Sequence, residues 1–493
     1  MAASSTQPQA YSTKPEYGAS VLVRGTLDYE RCRRMNPSSA TPDRYPQEIH
    51  LPRTPQDVAV ALKRAASLGV HIGIRSSGHI FGLGALVQDG IMIDTINLNR
   101  GIEYDTATRE ITFGPSVRVE EVAGKLKEIK RFFPHGHAPT VGAGGFLLAG
   151  GQGWFVRGWG ATAQSWITKM EIVVPDGRVL IASRTENSDL FWAARGSGLG
   201  FFGVVSRFWG RTIEASTLWE RNFTFVVGDK YEQLMTWALT KGDETPKYGT
   251  DINMTIYYPD KYDPLCTGDA VPEDKTLHMS LSLLCYADTQ AQARIMLSAY
   301  DRDMPEEIKD AMVEMKPVTK TSFQRIFRTK RGFIGLGGDK RWSILSILSD
   351  PKAPLPKLLE KCKPALTELP TRTSVVFICT CDIEADEEDS AVSIPQQYYI
   401  STITQWTDPS LEPGIYQPMR DRYRATLPVA AGTYVADYDV TNDEANGRVM
   451  SDTALAKFLK IREKWDPKGL FPNYKKFIET HEKIQRMENK ALL

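Results

Sequence analysis

The chain has 493 residues, with 60 basic side chains balanced by 60 acidic ones. That length suggests two or three domains, and the balance excludes the electrostatic footprint of a nucleic-acid or anionic-membrane binder, leaving a small molecule as the expected partner. The cysteines, Cys32, Cys266, Cys285, Cys362, Cys379 and Cys381, form no Cys-x-x-Cys pair, so neither a metal site nor a disulfide framework is expected.

Residues 1–42 read as a tail and lead-in. They hold no apolar stretch typical of a signal peptide, and no run in the chain approaches the roughly 20 apolar residues of a spanning helix, so a soluble, cytoplasmic protein is expected. From Thr54 the pattern predicts a helix. Thr54 caps it, Pro55 suits its first position and Asp57 complements its positive end. Val58, Ala61, Leu62 and Ala65 form its apolar stripe, and Gly69 closes it. Residues 70–74 then alternate as a strand that runs into Arg75-Ser76-Ser77-Gly78-His79-Ile80-Phe81-Gly82. Further strands are expected at 90–95 and 111–117, a helix at 119–127, and a hairpin of 171–174 with 178–182 about Pro175-Asp176-Gly177.

After about Arg211, aromatic-rich alternating segments at 219–227, 253–258, 279–286 and 375–383 interleave with helical stretches. They predict a large antiparallel sheet backed by helices. Cys379 and Cys381 fall on one such strand, with their side chains expected on opposite faces. Residues 384–389 read as a solvated acidic loop, 455–465 as a helix and 475–490 as a charged tail helix. The fold class is α+β, with domains expected at 43–211 and 212–445 and a C-terminal return to the first at 446–493.

Three motifs carry chemistry. In the octapeptide, two small hydroxyl residues and a glycine let backbone amides converge into a nest for phosphate oxygens. Arg75 can add a planar bidentate contact. His79, just past the turn, is a neutral nucleophile near physiological pH. The same residues also make an ordinary loop, and the octapeptide alone does not choose. The second motif, PTVGAGGFLLAGGQG at 139–153, is rich in glycines that cost a helix or strand about 0.5–1 kcal/mol each. Close approach by a ligand explains them, as does a turn that packs two elements together. The third, Gly198-Leu199-Gly200-Phe201-Phe202-Gly203, fits G-x-G-x-x-G, but that fingerprint needs a strand before it and a helix after it. Here 187–194 is helix-like and 204–209 strand-like, which rules out a Rossmann site and leaves Gly203 and Val204 open to another kind of phosphate nest.

The ordered motifs RSSGHIFG, HAPTVGAGGFLLAGGQGW, RGWG, KMEIVVPDGRVL, DLFWAARGSGLGFFGVV and TYVADYD resemble the berberine bridge enzyme-like branch of the flavoproteins that share the vanillyl-alcohol oxidase / p-cresol methylhydroxylase fold. The likeness is strong over about 43–211 and looser over 395–475. It implies a two-part FAD-binding domain of p-cresol methylhydroxylase type with a substrate domain between its parts. It also implies FAD held by Arg75, Ser76, Ser77, Gly78, His79, Gly82, Thr140, Gly142, Gly144, Gly145, Gly150, Gly153, Gly203, Val204 and Asn473, with His79 joined to the flavin 8α-methyl carbon. Many relatives attach a second time through a cysteine just before Pro-Thr-Val-Gly. Ala138 stands there, so His79 is the sole expected tether.

Two departures bear on mechanism. Relatives often read Tyr-Val-Asn-Tyr in a late strand, where this chain has Tyr434-Val435-Ala436-Asp437-Tyr438. Tyr434 and Tyr438 are the candidate catalytic groups, since a phenol acts as a base when its pKa is lowered; both also suit core aromatics. Residues 398–406, where some relatives place a catalytic carboxylate, read YYISTITQW, so a carboxylate base is not expected. Tyr398, Tyr399, Thr402 and Gln405 are candidates for substrate hydrogen bonds, with only alternate ones facing a pocket. The implied activity is FAD-dependent oxidation of a small organic substrate, in secondary metabolism, by hydride transfer to flavin N5 and reoxidation by O2. The alternative is a flavin-containing cyclase of Diels–Alder type with no net redox turnover.

Overall fold

The computed structural model describes residues 17, 20–80, 84–262, 268–330, 338–438 and 447–472. Its first lobe begins with the capped helix expected from Thr54. In Pro55–Leu68, Thr54 Oγ1 accepts the Asp57 N–H and the Asp57 carboxylate accepts the N–H of Thr54, while Gly69 ends the helix at φ 66°. Its stripe of Val58, Ala61, Leu62 and Ala65 is fully buried. The helix crosses between Glu48–His50 and Ile72–Arg75, which flank Ile91–Asp94 in parallel. Val21–Val23 adds an antiparallel edge. A second sheet of the lobe runs in the order Ile102–Asp105, Glu110–Phe113, Val204–Arg211, Ile167–Val173 and Val179–Ser183, all antiparallel. The hairpin about Asp176 is there, with Gly177 at φ 88°.

The second lobe is built on an eight-stranded antiparallel sheet in the order Met312–Lys320, Thr217–Val226, His278–Ala287, Thr250–Tyr257, Val375–Ile383, Gln396–Trp406, Arg341–Ser349 and Ala430–Gly432. Helices Tyr231–Asp243, Leu355–Thr367 and Glu412–Arg424 pack on one face, where Val376, Ile378 and Ile400 meet Leu358, Leu359 and Met419 in a common core. The opposite face turns to the first lobe. Cys379 and Cys381 both belong to that face, which corrects the expectation that they diverge: side chains two apart on a strand share a side.

Past the sheet the chain returns to the first core, which takes in Val435, Tyr438, Phe458 and Phe471. Helix Asp452–Trp465 packs on Ser188–Ala194, and the Ile72 N–H donates to the Leu470 carbonyl at 3.0 Å. Two further expectations change. The late motif is not a strand, because Val435–Asp437 is a single 3-10 turn. The acidic loop is not simply solvated, because Arg184 and the buried Arg195 both grip Asp389. The expected tail helix at 475–490 lies outside the described residues. Among those described, no helix is long and apolar enough to cross a membrane.

Candidate active site

A cavity of about 2030 Å³, counted to its open mouth, lies between the two lobes. Its first-lobe wall is Ile72–Arg75 with the loop that follows, the glycine run about Gly142 and the turn at Gly198–Gly203. Its second-lobe wall is the sheet face bearing Trp342, Ile344, Phe377, Cys379, Cys381, Tyr399 and Ile403.

The two glycine-bearing loops are tied to each other. The Gly142 N–H donates to Ser77 Oγ at 2.7 Å, and the Ser76 hydroxyl donates to the Pro115 carbonyl at 2.6 Å. A Cβ on Gly142 would sit 2.6 Å from Ser76 Oγ, so a side chain there would force the Ser76 hydroxyl to shift. Gly78 has φ 79°, and a Cβ there would meet the Met35 carbonyl oxygen at 2.7 Å. Among the described residues no carbonyl accepts the N–H of Ser77, Gly78 or His79, which leaves these donors for an anionic ligand. A Cβ on Gly145 would meet nothing within 4 Å and would project into the cavity space. One expected contact is corrected. The Arg75 guanidinium does not point at a phosphate; it is buried against Asp94 at 2.5 Å, with the Met35 carbonyl and Cys32 Sγ as further partners.

His79 lies deep between the lobes with one side facing the cavity, and its buried Nε2 has no hydrogen-bond partner. Burial lowers its pKa to about 3, the nearby Arg118 charge pushes the same way, and a hydrogen bond with the Thr140 backbone opposes them. The imidazole is therefore neutral throughout the physiological range. Ala138 and His137 line the same cavity, His137 packed 4.4 Å from Trp154 and 5.2 Å from Phe377.

Several expected cofactor residues stand behind the wall rather than on it. Gly150 has φ 99°, and a Cβ on Gly153 would fall 2.3 Å from the His135 carbonyl oxygen. Gly150 serves a left-handed turn and Gly153 a close backbone approach, the packing alternative the glycine run had left open. Thr140 touches the site only by holding His79, and Val204 is buried next to the lining residues Gly203 and Val205. The helix Ser188–Ala194 precedes the glycine triplet and the strand Val204–Arg211 follows it, the reverse of a Rossmann turn. Gly82 and Asn473 lie outside the described residues.

The catalytic expectation changes most. Tyr434 lines the cavity, but burial and the neighbouring Asp437 charge push its phenol up, so at neutral pH it is a hydroxyl donor and not a base. Tyr438 is packed in the first core and does not line this cavity. Of the four residues singled out at 398–406, only Tyr399 lines it; Thr402 faces the helices and accepts from the Tyr423 hydroxyl at 2.9 Å. Tyr399 in turn donates to Asp437 Oδ2 at 2.7 Å. Asp437 is thus a carboxylate in the site, supplied by the 3-10 turn and not by the strand where its absence was noted. Burial raises its pKa to about 6 against the opposing pull of Tyr399 and Ser346, although the Ser346 hydroxyl makes no hydrogen bond of good geometry. Sequence reasoning missed it because only the fold brings residue 437 opposite residue 399.

The orphaned His79 nitrogen, the free amides of the octapeptide and the space over Gly145 fit an FAD. Residues 46–183 match the FAD binding domain family. The chain is 29% identical over 448 residues to the FAD-linked oxidoreductase janO of Penicillium janthinellum, covering 90% of this chain and 94% of that one. It is 35% identical over 210 residues to the xylooligosaccharide oxidase of Thermothelomyces thermophilus, covering 40% and 41%. The fold is similar to that of 6-hydroxy-D-nicotine oxidase from Arthrobacter nicotinovorans, with a TM-score of 0.77 at 18% identity over 93% of this chain and 98% of that chain. These features define a two-lobed FAD flavoprotein of the p-cresol methylhydroxylase type. Over most of its length the chain is similar to FAD-linked oxidoreductases, and its fold is also similar to that of berberine bridge enzyme, with a TM-score of 0.74 at 16% identity.

Proposed function

We propose that the enzyme oxidises a small organic substrate with FAD tethered through His79 alone and with O2 as the final acceptor, in the manner of a secondary-metabolite oxidase. The observation that carries this reading is His79 itself: a neutral imidazole, held by Thr140, with a buried and unpartnered Nε2 at the wall of the glycine-lined cavity. The small, unreactive side chain of Ala138 offers no second attachment. The flavin supplies hydride acceptance; the protein's own residues bind, orient and exclude water. Ser77 and Gly142 fix the two loops against each other, and the free amides of Ser77, Gly78 and His79 receive the pyrophosphate charge. The apolar sheet face opposite closes the substrate side. The cyclase alternative drew support from a missing carboxylate, and Asp437 removes that support.

The tether is tested by acid precipitation of the purified protein. Yellow, fluorescent flavin stays in the wild-type pellet and washes into the supernatant from His79→Ala. A colourless wild-type pellet, or an adduct that survives His79→Ala, overturns the assignment. Oxidase and cyclase separate on anaerobic bleaching of the flavin by substrate, which only the oxidase shows.

A further inference from the structure

We propose that Asp437 is the proton acceptor of this oxidation, that the proton leaves through a second, polar cavity behind it, and that the substrate is a largely apolar alcohol. The proposal rests on the oxidase reading above and deepens it.

Among the described lining residues, Asp437 is the one carboxylate, and it is set in an apolar surface of Trp342, Ile344, Phe377, Cys379, Cys381 and Ile403. A sugar would bring several hydroxyls against that surface and leave them without partners, at about 1–3 kcal/mol for each one buried. A terpenoid or polycyclic skeleton with a single hydroxyl matches one carboxylate, flanked by the Tyr399 and Tyr434 hydroxyls, in a sheet face that is otherwise apolar. A protonated amine is a poorer fit, because pairing with the carboxylate would hold its proton in place.

Asp437, Trp342 and Ile344 line the large cavity and also a smaller one on their other side, whose wall includes Ser39, Thr41, Arg341, Ser343, Glu412 and Tyr438. The partition therefore has a carboxylate in it, with an apolar chamber before it and a polar one behind. Tyr399 holds that carboxylate from the sheet and is a positioning residue.

The groups around Asp437 set its proton affinity. Tyr399 and Ser346 face it from the sheet, Tyr434 from its own turn, and Tyr423 lies farther off on a packed helix. The charged residues of the polar cavity, Arg341 and Glu412, pair with each other at 2.7 Å. With no cation among the described residues shifting it, burial dominates and the carboxyl titrates at about 6, which leaves it ionised yet basic at neutral pH. In the step itself the substrate O–H bond breaks and its proton goes to Asp437, while the carbinol C–H leaves with its electron pair for the flavin and the C–O bond becomes C=O. The two electrons pass to O2, which takes up two protons and departs as H2O2.

The test uses wild-type, Asp437→Asn and Tyr399→Phe holoenzymes, each first shown to retain flavin in the acid pellet. Cinnamyl alcohol and geraniol serve as apolar alcohols, with xylobiose as the sugar control, and anaerobic bleaching is followed from pH 5 to 8. Wild type is expected to bleach with the alcohols and not with xylobiose, at a rate that rises through about pH 6. Asp437→Asn is expected to slow bleaching about 100-fold or more and to flatten the pH profile. Tyr399→Phe moves the midpoint upward, because the ionised carboxylate loses a donor. Unchanged bleaching in Asp437→Asn overturns the acceptor role and leaves the oxidase reading intact. Bleaching by xylobiose but by neither alcohol overturns the substrate class, and a flavin that none of them bleaches overturns both readings. Thermal unfolding gives a readout free of substrate: the melting temperature of Asp437→Asn should gain on wild type as pH rises from 5 to 8, and a constant difference counts against a carboxyl that titrates there.

Discussion

At the scale of single residues, the glycines divide into those that make room for a ligand and those that make room for backbone. Gly153 belongs to the second kind, since a Cβ there would fall 2.3 Å from the His135 carbonyl oxygen, a main-chain atom with nowhere to go. Gly153→Ala should therefore abolish soluble expression. Gly145 belongs to the first kind, with open cavity where its Cβ would be. Gly145→Ala should keep the wild-type melting temperature without flavin yet lower the flavin-to-protein absorbance ratio. The two glycines look alike in the sequence, because a glycine states only what the backbone permits and not which neighbour requires it. Arg75 shows the same limit. An arginine before a nest suggests a phosphate ligand, but buried Asp94 takes its guanidinium at 2.5 Å. Asp94→Asn strands a buried cation and should cost about 3–5 kcal/mol in denaturant unfolding.

At the scale of elements, local signals were readable wherever a segment's own neighbours decide its shape. The helix from Pro55 to Leu68 follows from its cap and its Gly69 stop, and the strand Val375–Ile383 from its alternation. The motif around Tyr434 was misread as a strand, because alternating aromatics fit a strand and a 3-10 turn equally well and only packing against the first core selects the turn. Loop pairing is a property of elements too. Ser77 and Gly142 lie 65 positions apart, and their hydrogen bond fastens the nest to the glycine run. Ser77→Ala should lower stability by about 0.5–1.5 kcal/mol and, by loosening the nest, reduce the fraction of protein carrying covalent flavin in denaturing gels.

At the scale of the whole molecule, the lobes are joined by more than the cavity they enclose. Arg184 and buried Arg195 of the first lobe bind Asp389, which leaves the second-lobe strand Val375–Ile383 in an acidic loop. Burial alone would raise that carboxyl, but the two arginines outweigh it and hold the pKa at about 2, below its unfolded value of 3.8. A depressed carboxyl stabilises the fold above its unfolded pKa, so this contribution is complete above about pH 4 and lost as pH falls towards 2. Asp389→Asn should destabilise the protein at pH 7 and show a smaller further loss on acidification over that window, read by thermal unfolding.

The sequence by itself determined the cofactor class, the His79 tether as an expectation and the alternation of the sheet, because nests, caps and strand periods are written in residues close along the chain. It also put Ala138 at the position where the family resemblance implies a second attachment. Only the tertiary structure decided which glycines face the cavity, where Arg75 points and that Asp437 meets Tyr399 in the cavity wall, at 2.7 Å. Those facts depend on contacts between distant segments, and burial, which sets the proton affinities of His79 and Asp437, exists only once the two lobes have closed on each other.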